Sequence, residues 1–220
     1  MKAISIGNEI KSRCPNLRLG CIETDVVIAE PSSAFLQEMD AAIQQLAQSL
    51  SIESISKIPS ISAARKGYKA CGKDPARYRL SAEALLRRVV SGKGLYQINN
   101  VVDQLNLVSI STGFSIGGYD ADQISGEITF GIGRADEPYF GIGRGELNIE
   151  YLPVFRDEIG AFGTPTSDSS RTEVTGKTSR FLMIIIDFES SNLLDEALLK
   201  AQKLLMKHCR AENIDVRIIQ

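Results

Sequence analysis

The sequence predicts an α+β fold, a single domain in which a mixed β-sheet packs against several helices. Three observations carry that expectation. Apolar stripes at helical spacing alternate along the chain with short runs at strand spacing. Apolar residues make up 43% and charged residues 24%, the balance of an ordinary globular protein. No linker or break in composition divides the 220 residues, a length that one large core can serve.

The elements follow in order. Leu17 to Ala29 is β-rich and closes at Pro31, so it reads as a strand. From Ser32 to Leu50, the residues Phe35, Met39, Ala42, Ile43, Leu46, Ala47 and Leu50 recur at three- and four-residue steps. That stripe predicts an amphipathic helix capped by Ser32 or Ser33. A short helix follows near residues 60–70 and stops at Gly72. Asp74-Pro75 opens a turn. Ser81 then caps a helix with Leu85, Leu86, Val89 and Val90 on its apolar face and Gly92 at its end. Val101, Leu105 and Val108 place another helix from about Asn99 to Gly113.

After Gly113 the chain turns glycine-rich, and Ile128, Phe130 and Ile132 alternate as in a half-buried strand. Phe-Gly-Ile-Gly-Arg occurs at 130–134 and again at 140–144, which predicts a β-hairpin pairing the two copies. Asp157 to Ser179 is long and polar, a candidate lid. Phe181 to Phe188 is a strand apolar on both faces, and Asn192 to Arg210 is a helix with acids near its start and Lys203, Lys207 and His208 near its end. Asp215 to Ile219 closes as a strand. The last strand, helix and strand fit a parallel βαβ unit without fixing the order of the sheet.

Composition excludes several chemistries. A net charge of −2 argues against coating nucleic acid by bulk electrostatics, so any RNA contact needs a local basic patch. The cysteines, Cys14, Cys21, Cys71 and Cys209, lack zinc spacing, and nothing at the start reads as a secretory signal. No apolar run nears the roughly 20 residues of a membrane span. The expectation is a cytoplasmic protein with free thiols and no metal or cofactor. His208 is the only histidine; as a surface or capping residue it leaves no Ser-His-Asp triad and no His-rich metal site. Gly141-Ile142-Gly143-Arg144-Gly145 has phosphate-loop glycines but no helix start behind them, and reads as a bulge or close backbone approach.

Between Arg65 and Lys93 lie nine basic residues, including Lys73, Arg77, Arg79, Arg87 and Arg88, opposed only by Asp74 and Glu83 and interleaved with Tyr68 and Tyr78. A solvated helical face and an RNA-binding patch with stacking platforms both fit this pattern. The residue order adds to it. Gly72-Lys73-Asp74-Pro75-Ala76-Arg77-Tyr78-Arg79, then Ser81 to Arg88, then Leu95-Tyr96-Gln97-Ile98-Asn99-Asn100-Val101-Val102-Asp103 with Asn106 a turn later, resembles the B3/B4 tRNA-binding domain of the phenylalanyl-tRNA synthetase β subunit. Tyr119-Asp120 after Gly117-Gly118 is similar to that family's aromatic-Asp turn. The likeness runs from about residue 65 to residue 190.

The resemblance implies a freestanding B3/B4-like domain that binds tRNA or aminoacyl-tRNA and hydrolyses mischarged aminoacyl-tRNA in trans, without a synthetase's own catalytic module. It implies a pocket with Asn106 and Asp187 as catalytic residues and Gly117, Gly118, Gly160 and Gly163 in its wall. Lys73, Arg77, Arg79, Arg87 and Arg88 would touch RNA, although one of the two adjacent arginines should point away. Asp103 and Asp120 are expected to be structural. One departure matters: the editing histidine of the family falls on Gly117, and the proline before it on Ser115. A noncatalytic RNA- or amino-acid-binding module therefore stands as the alternative, and a small-molecule enzyme as a third reading.

Overall fold

The strand apolar on both faces, β9 (Arg180–Asp187), is interior in a four-stranded sheet, and every residue from Phe181 to Asp187 is buried, as a strand covered on both sides requires. A computed structural model describes residues 1–220. β9 pairs antiparallel with β2 (Arg18–Asp25) on one side and with β3 (Ile116–Asp120) on the other; β10 (Glu212–Ile219) lies antiparallel outside β2. β9 and β10 therefore run in the same direction, joined by helix α7 (Leu193–His208), with β2 between them. The expected βαβ unit is present, split by a strand from the beginning of the chain.

A second sheet has the order β1 (Ile4–Ile6), β4 (Ile128–Ile132), β7 (Pro153–Arg156), β8 (Ala161–Gly163), with β1 parallel to β4 and the other pairs antiparallel. The hairpin predicted between the two Phe-Gly-Ile-Gly-Arg copies does not form. The first copy enters β4, whereas the second makes a tight ribbon of its own, β5 (Phe140–Gly141) with β6 (Gly145–Glu146). The reason lies at Gly133, whose backbone is bonded to Leu152 (2.7 Å) and Tyr151 (2.9 Å). A Cβ there would overlap the Ile149 carbonyl, so this close approach commits β4 to the segment leading into β7.

The remaining helices are α1 (Asn8–Arg13), α2 (Ser33–Ser49), α3 (Ile52–Ile55), α4 (Pro59–Cys71), α5 (Ser81–Val90) and α6 (Asn100–Thr112). Ser32 caps α2 as expected, its Oγ accepting from the Phe35 amide. β1, α1 and α3 are too short for periodicity to reveal. α6 starts at Asn99, whose side-chain oxygen accepts from the Val101 and Val102 amides at 3.1 and 2.9 Å, and ends at Gly113 in the left-handed region, φ 74°. Ser81 does not cap α5. It is the first helical residue, and its amide donates to the Pro165 carbonyl instead.

The 54 buried apolar residues form one continuous cluster that draws on every α-helix and on both four-stranded sheets. Polar staples hold the segments around it. Asn100 accepts from the Ala29 amide and donates to the carbonyls of Val27 and His208. Asp103 accepts from the Ile98 amide, and Asp120 accepts from the Asp122 amide and the Thr178 hydroxyl, both structural as expected. His208 is not a surface residue. Its ring packs edge-on to Phe35 at 5.2 Å with Nε2 3.5 Å from Glu38, between α7 and α2. The four cysteines are buried and free. No helix is long and apolar enough to cross a membrane.

Candidate functional site

β3 is an edge strand, so the alternate amides that point away from β9 need partners from outside the sheet. Beside that edge, α5, α6, the loop behind β8 and the β5–β6 ribbon enclose a cavity of about 590 Å³, in the size range of ligand pockets. α6 contributes Val102, Leu105 and Asn106, which share one helix face by their three- and four-residue spacing. Leu85 from α5, Ile116 from β3 and Val174 complete an apolar wall. Asn106 is half-buried in this lining. Asn99, Asn100 and Asp103 of the motif are spent on backbone groups, and Asn106, a turn later, is the one that reaches the cavity.

The opposite wall is Thr164 to Asp168. The Thr164 hydroxyl accepts from the amides of Thr166 and Ser167 and donates to the Ser167 carbonyl, which stiffens the turn. Thr166 is further tied to the buried Tyr68 hydroxyl at 2.9 Å. This turn delivers Asp168 to the β3 edge, where its Oδ2 accepts the Gly118 amide at 3.2 Å. Its Oδ1 is buried without a hydrogen-bond partner, as is the hydroxyl of Tyr119. Burial pushes the Asp168 carboxyl up to about 7, with the Gly118 amide pulling the other way.

Five cations line the mouth, Arg79, Arg87, Arg88, Lys93 and Arg144, against two carboxyl groups, Asp168 and the exposed Glu173. One buried acid of α5 gathers three arginines, from α4, from the segment before α5 and from α5 itself. Glu83 is 2% exposed and lies 2.8 Å from Arg65, 3.2 Å from Arg87 and 4.0 Å from Arg79. Arg88 stacks on Tyr96 at 3.8 Å and donates to its hydroxyl at 2.9 Å. Both Arg87 and Arg88 line the cavity, contrary to the expectation that one would turn away; their side chains are long enough to converge from adjacent positions.

Other expectations are corrected. Asp187 is not in the cavity. Its carboxylate is taken by Arg18 (3.2 Å), by the amides of Ser191 (2.7 Å) and Glu189 (3.1 Å) and by the Ser191 hydroxyl, so it ties β2 to the start of α7. Lys73 is buried; it donates to the Glu150 and Asn148 carbonyls and sits 3.8 Å over the Tyr78 ring, which leaves it no surface role. Arg77 is exposed but outside the cavity lining. Gly118 lines the cavity. Gly117 and Gly163 face the other way, each giving way to the Tyr119 phenol, which a Cβ at either position would overlap. The space a histidine at position 117 would enter is thus filled by Tyr119. Gly160 is in a turn held by Asp157 and Arg171, away from the cavity. Residues 157–179 are a wall rather than a lid, pinned by the Arg171–Asp157 pair at 2.9 and 3.0 Å.

Sequence reasoning missed Asp168, Thr164, Thr166, Ser81, Glu173 and Arg144. The one local signal was the hydroxyl-rich run Thr164-Pro165-Thr166-Ser167 ending in an acid just after Gly163.

Comparison with known proteins bears on this geometry. No curated protein matches the chain. Among solved structures it is similar to an N-terminal fragment of the phenylalanyl-tRNA synthetase β-subunit from Pyrococcus horikoshii, with a TM-score of 0.47 and 12% identity over 99% of this chain. The alignment spans 50% of that fragment, so this chain is about half its length. The family model described as B3/4 domain matches residues 63–209. That interval contains α5, α6, β3, the Asp168 turn and every residue lining the cavity, and with two thirds of its length so matched the chain belongs to the B3/4 domain family.

Proposed function

We propose that this chain binds the aminoacylated end of a tRNA in the cavity beside β3, as one B3/4-type unit over residues 1–220. The observation that carries the reading is the division of the cavity into an apolar wall and a cationic mouth. An amino-acid side chain fits against Leu85, Val102, Leu105, Ile116 and Val174, while the terminal phosphates and sugars of the RNA meet Arg79, Arg87, Arg88, Lys93 and Arg144. Arg77 and the ring of Tyr96, stacked under Arg88, extend this surface toward flanking nucleotides. The buried free thiols suit a reducing cytoplasm.

Ester hydrolysis in such a site needs orientation more than a strong base. Asn106 presents an amide to the ester carbonyl or to the attacking water, and the terminal hydroxyl of the RNA assists. A second reading, binding without hydrolysis, is favoured by Tyr119 filling the space beside Gly117 where the family's histidine would stand. The test is release of amino acid from a panel of mischarged tRNAs together with filter retention of the same tRNAs. Release that falls at least tenfold in Asn106→Ala supports the hydrolase. Retention with a silent panel supports the binding module, and neither release nor retention removes both.

A further inference from the structure

Asp168 is the one enclosed carboxyl of the cavity; Glu173, the other acid in the lining, is exposed to solvent. The Asp168 side chain stands on a turn locked by Thr164 and is oriented by the Gly118 amide at 3.2 Å, an arrangement that fixes its direction while leaving acceptor capacity on both oxygens. No arginine or lysine is bonded to it, in contrast to Glu83, Asp157 and Asp187, each of which holds a guanidinium. A carboxyl kept in an enclosed site without a cation costs stability, and the chain meets that cost at the place where an apolar wall and a polar turn face each other. The rim cations belong to other partners or to the mouth, and Tyr119 behind the carboxyl supplies a neutral phenol.

We infer that Asp168 receives a protonated primary amine of the ligand, so that the site selects aminoacyl groups with a free α-amino group over N-acylated or deaminated ones. This rests on the reading of the cavity as an aminoacyl-RNA site and names the group that reads the amino acid's charged end. Asp187, the acid expected in that role, is saturated by Arg18 and Ser191. In the Asp168 site the ammonium replaces the missing cation, and its hydrogens meet Oδ2 and the Thr164–Ser167 turn.

The experiment measures binding of the full chain to three 3′-amide-linked aminoacyl adenosines carrying leucine, N-acetyl-leucine or 4-methylpentanoate, and to leucinamide alone. The expected result is at least tenfold tighter binding of the free-amine adenosine compound than of its two amine-blocked counterparts. Asp168→Asn, which keeps the shape and the Gly118 bond, should erase that preference by weakening only the free-amine compound; Asp40→Asn, at an exposed acid of α2 outside the cavity lining, should leave it intact. Equal binding of all three by the wild type overturns the inference while sparing the aminoacyl-RNA reading, and so does a preference that survives Asp168→Asn. Asp168-dependent binding of leucinamide to which adenosine adds nothing supports the inference and defeats the RNA reading. Failure of every compound to bind defeats both.

Discussion

Arg18 and Asp187 meet at 3.2 Å across the β2–β9 pair, 169 residues apart in sequence, with the Asp187 side chain 2% exposed. The pair joins the first long strand to the turn that launches α7, since Asp187 also accepts from the Ser191 amide.

Removing one partner of such a buried pair strands the other. Asp187→Ala should therefore lower the unfolding free energy by about 3 kcal/mol, read from urea denaturation. Ligand affinity of the fraction that remains folded should be unchanged. A loss of affinity without a loss of stability would return Asp187 to the binding site.

Asp168 titrates in the opposite sense from a paired carboxylate. Its folded value, about 7, lies above the ordinary 3.8, so folding favours the protonated form. The stability this contributes is complete below about 3.8 and is lost as pH rises to about 7, with no further change above it. Asp103 behaves alike over a narrower window, because burial raises it to about 6. Asp168→Asn should thus stabilise the fold at pH 8, by an amount on the order of 2–4 kcal/mol, and have little effect at pH 4. Melting curves across that range check the slope, and a variant that melts lower at pH 8 contradicts it.

The basic residues divide into two groups with different signatures. Neutralising Arg79, Arg87 or Arg88 to Gln should weaken tRNA retention and reduce the slope of log affinity against log salt by about 0.7 for each phosphate left unneutralised. Lys73→Gln should leave that slope unchanged and lower stability instead, because Lys73 is spent on the Glu150 and Asn148 carbonyls. Retention measured across a salt series separates the two; a slope change in Lys73→Gln would contradict its buried placement.

Gly163 and Tyr119 are coupled by space. Gly163→Ala should cost about 1–3 kcal/mol, since its new methyl meets the phenol oxygen. Tyr119→Phe removes that oxygen but keeps the ring carbons Cζ and Cε1, which lie 2.7 and 2.8 Å from the new methyl, and should recover only part of the loss in the double variant. Additive losses in a double-mutant cycle would show that the methyl is accommodated elsewhere.

Periodicity is a sound guide wherever one element buries one face. α2, α5, α6, β9 and α7 are all legible in the sequence, and so is the resemblance carried by the stretch from Gly72 to Asn106. Asn106 can be named because it follows on the same helix as the motif. Asp168 cannot: its importance comes from the Gly118 amide, 50 residues earlier, and no local pattern registers an edge strand that lacks a partner. Asp187 misleads for the same reason in reverse, as a carboxylate ending an apolar strand looks ligand-seeking until Arg18 is placed beside it. The repeated pentapeptide invites pairing by identity, whereas the backbone at Gly133 is already occupied by Leu152 and Tyr151.

The placement of β2 between β9 and β10 sets an order of assembly. As the ribosome extends the chain, residues 18–25 emerge long before either neighbour exists, and they must wait with both edges open until residue 187 and then residue 219 have been made. Closure of that loop is entropically slow. The helical pairs between them are local and can gather first, so the cleft beside β3 takes its final shape only when the late strand β9 arrives to hold β3 in line.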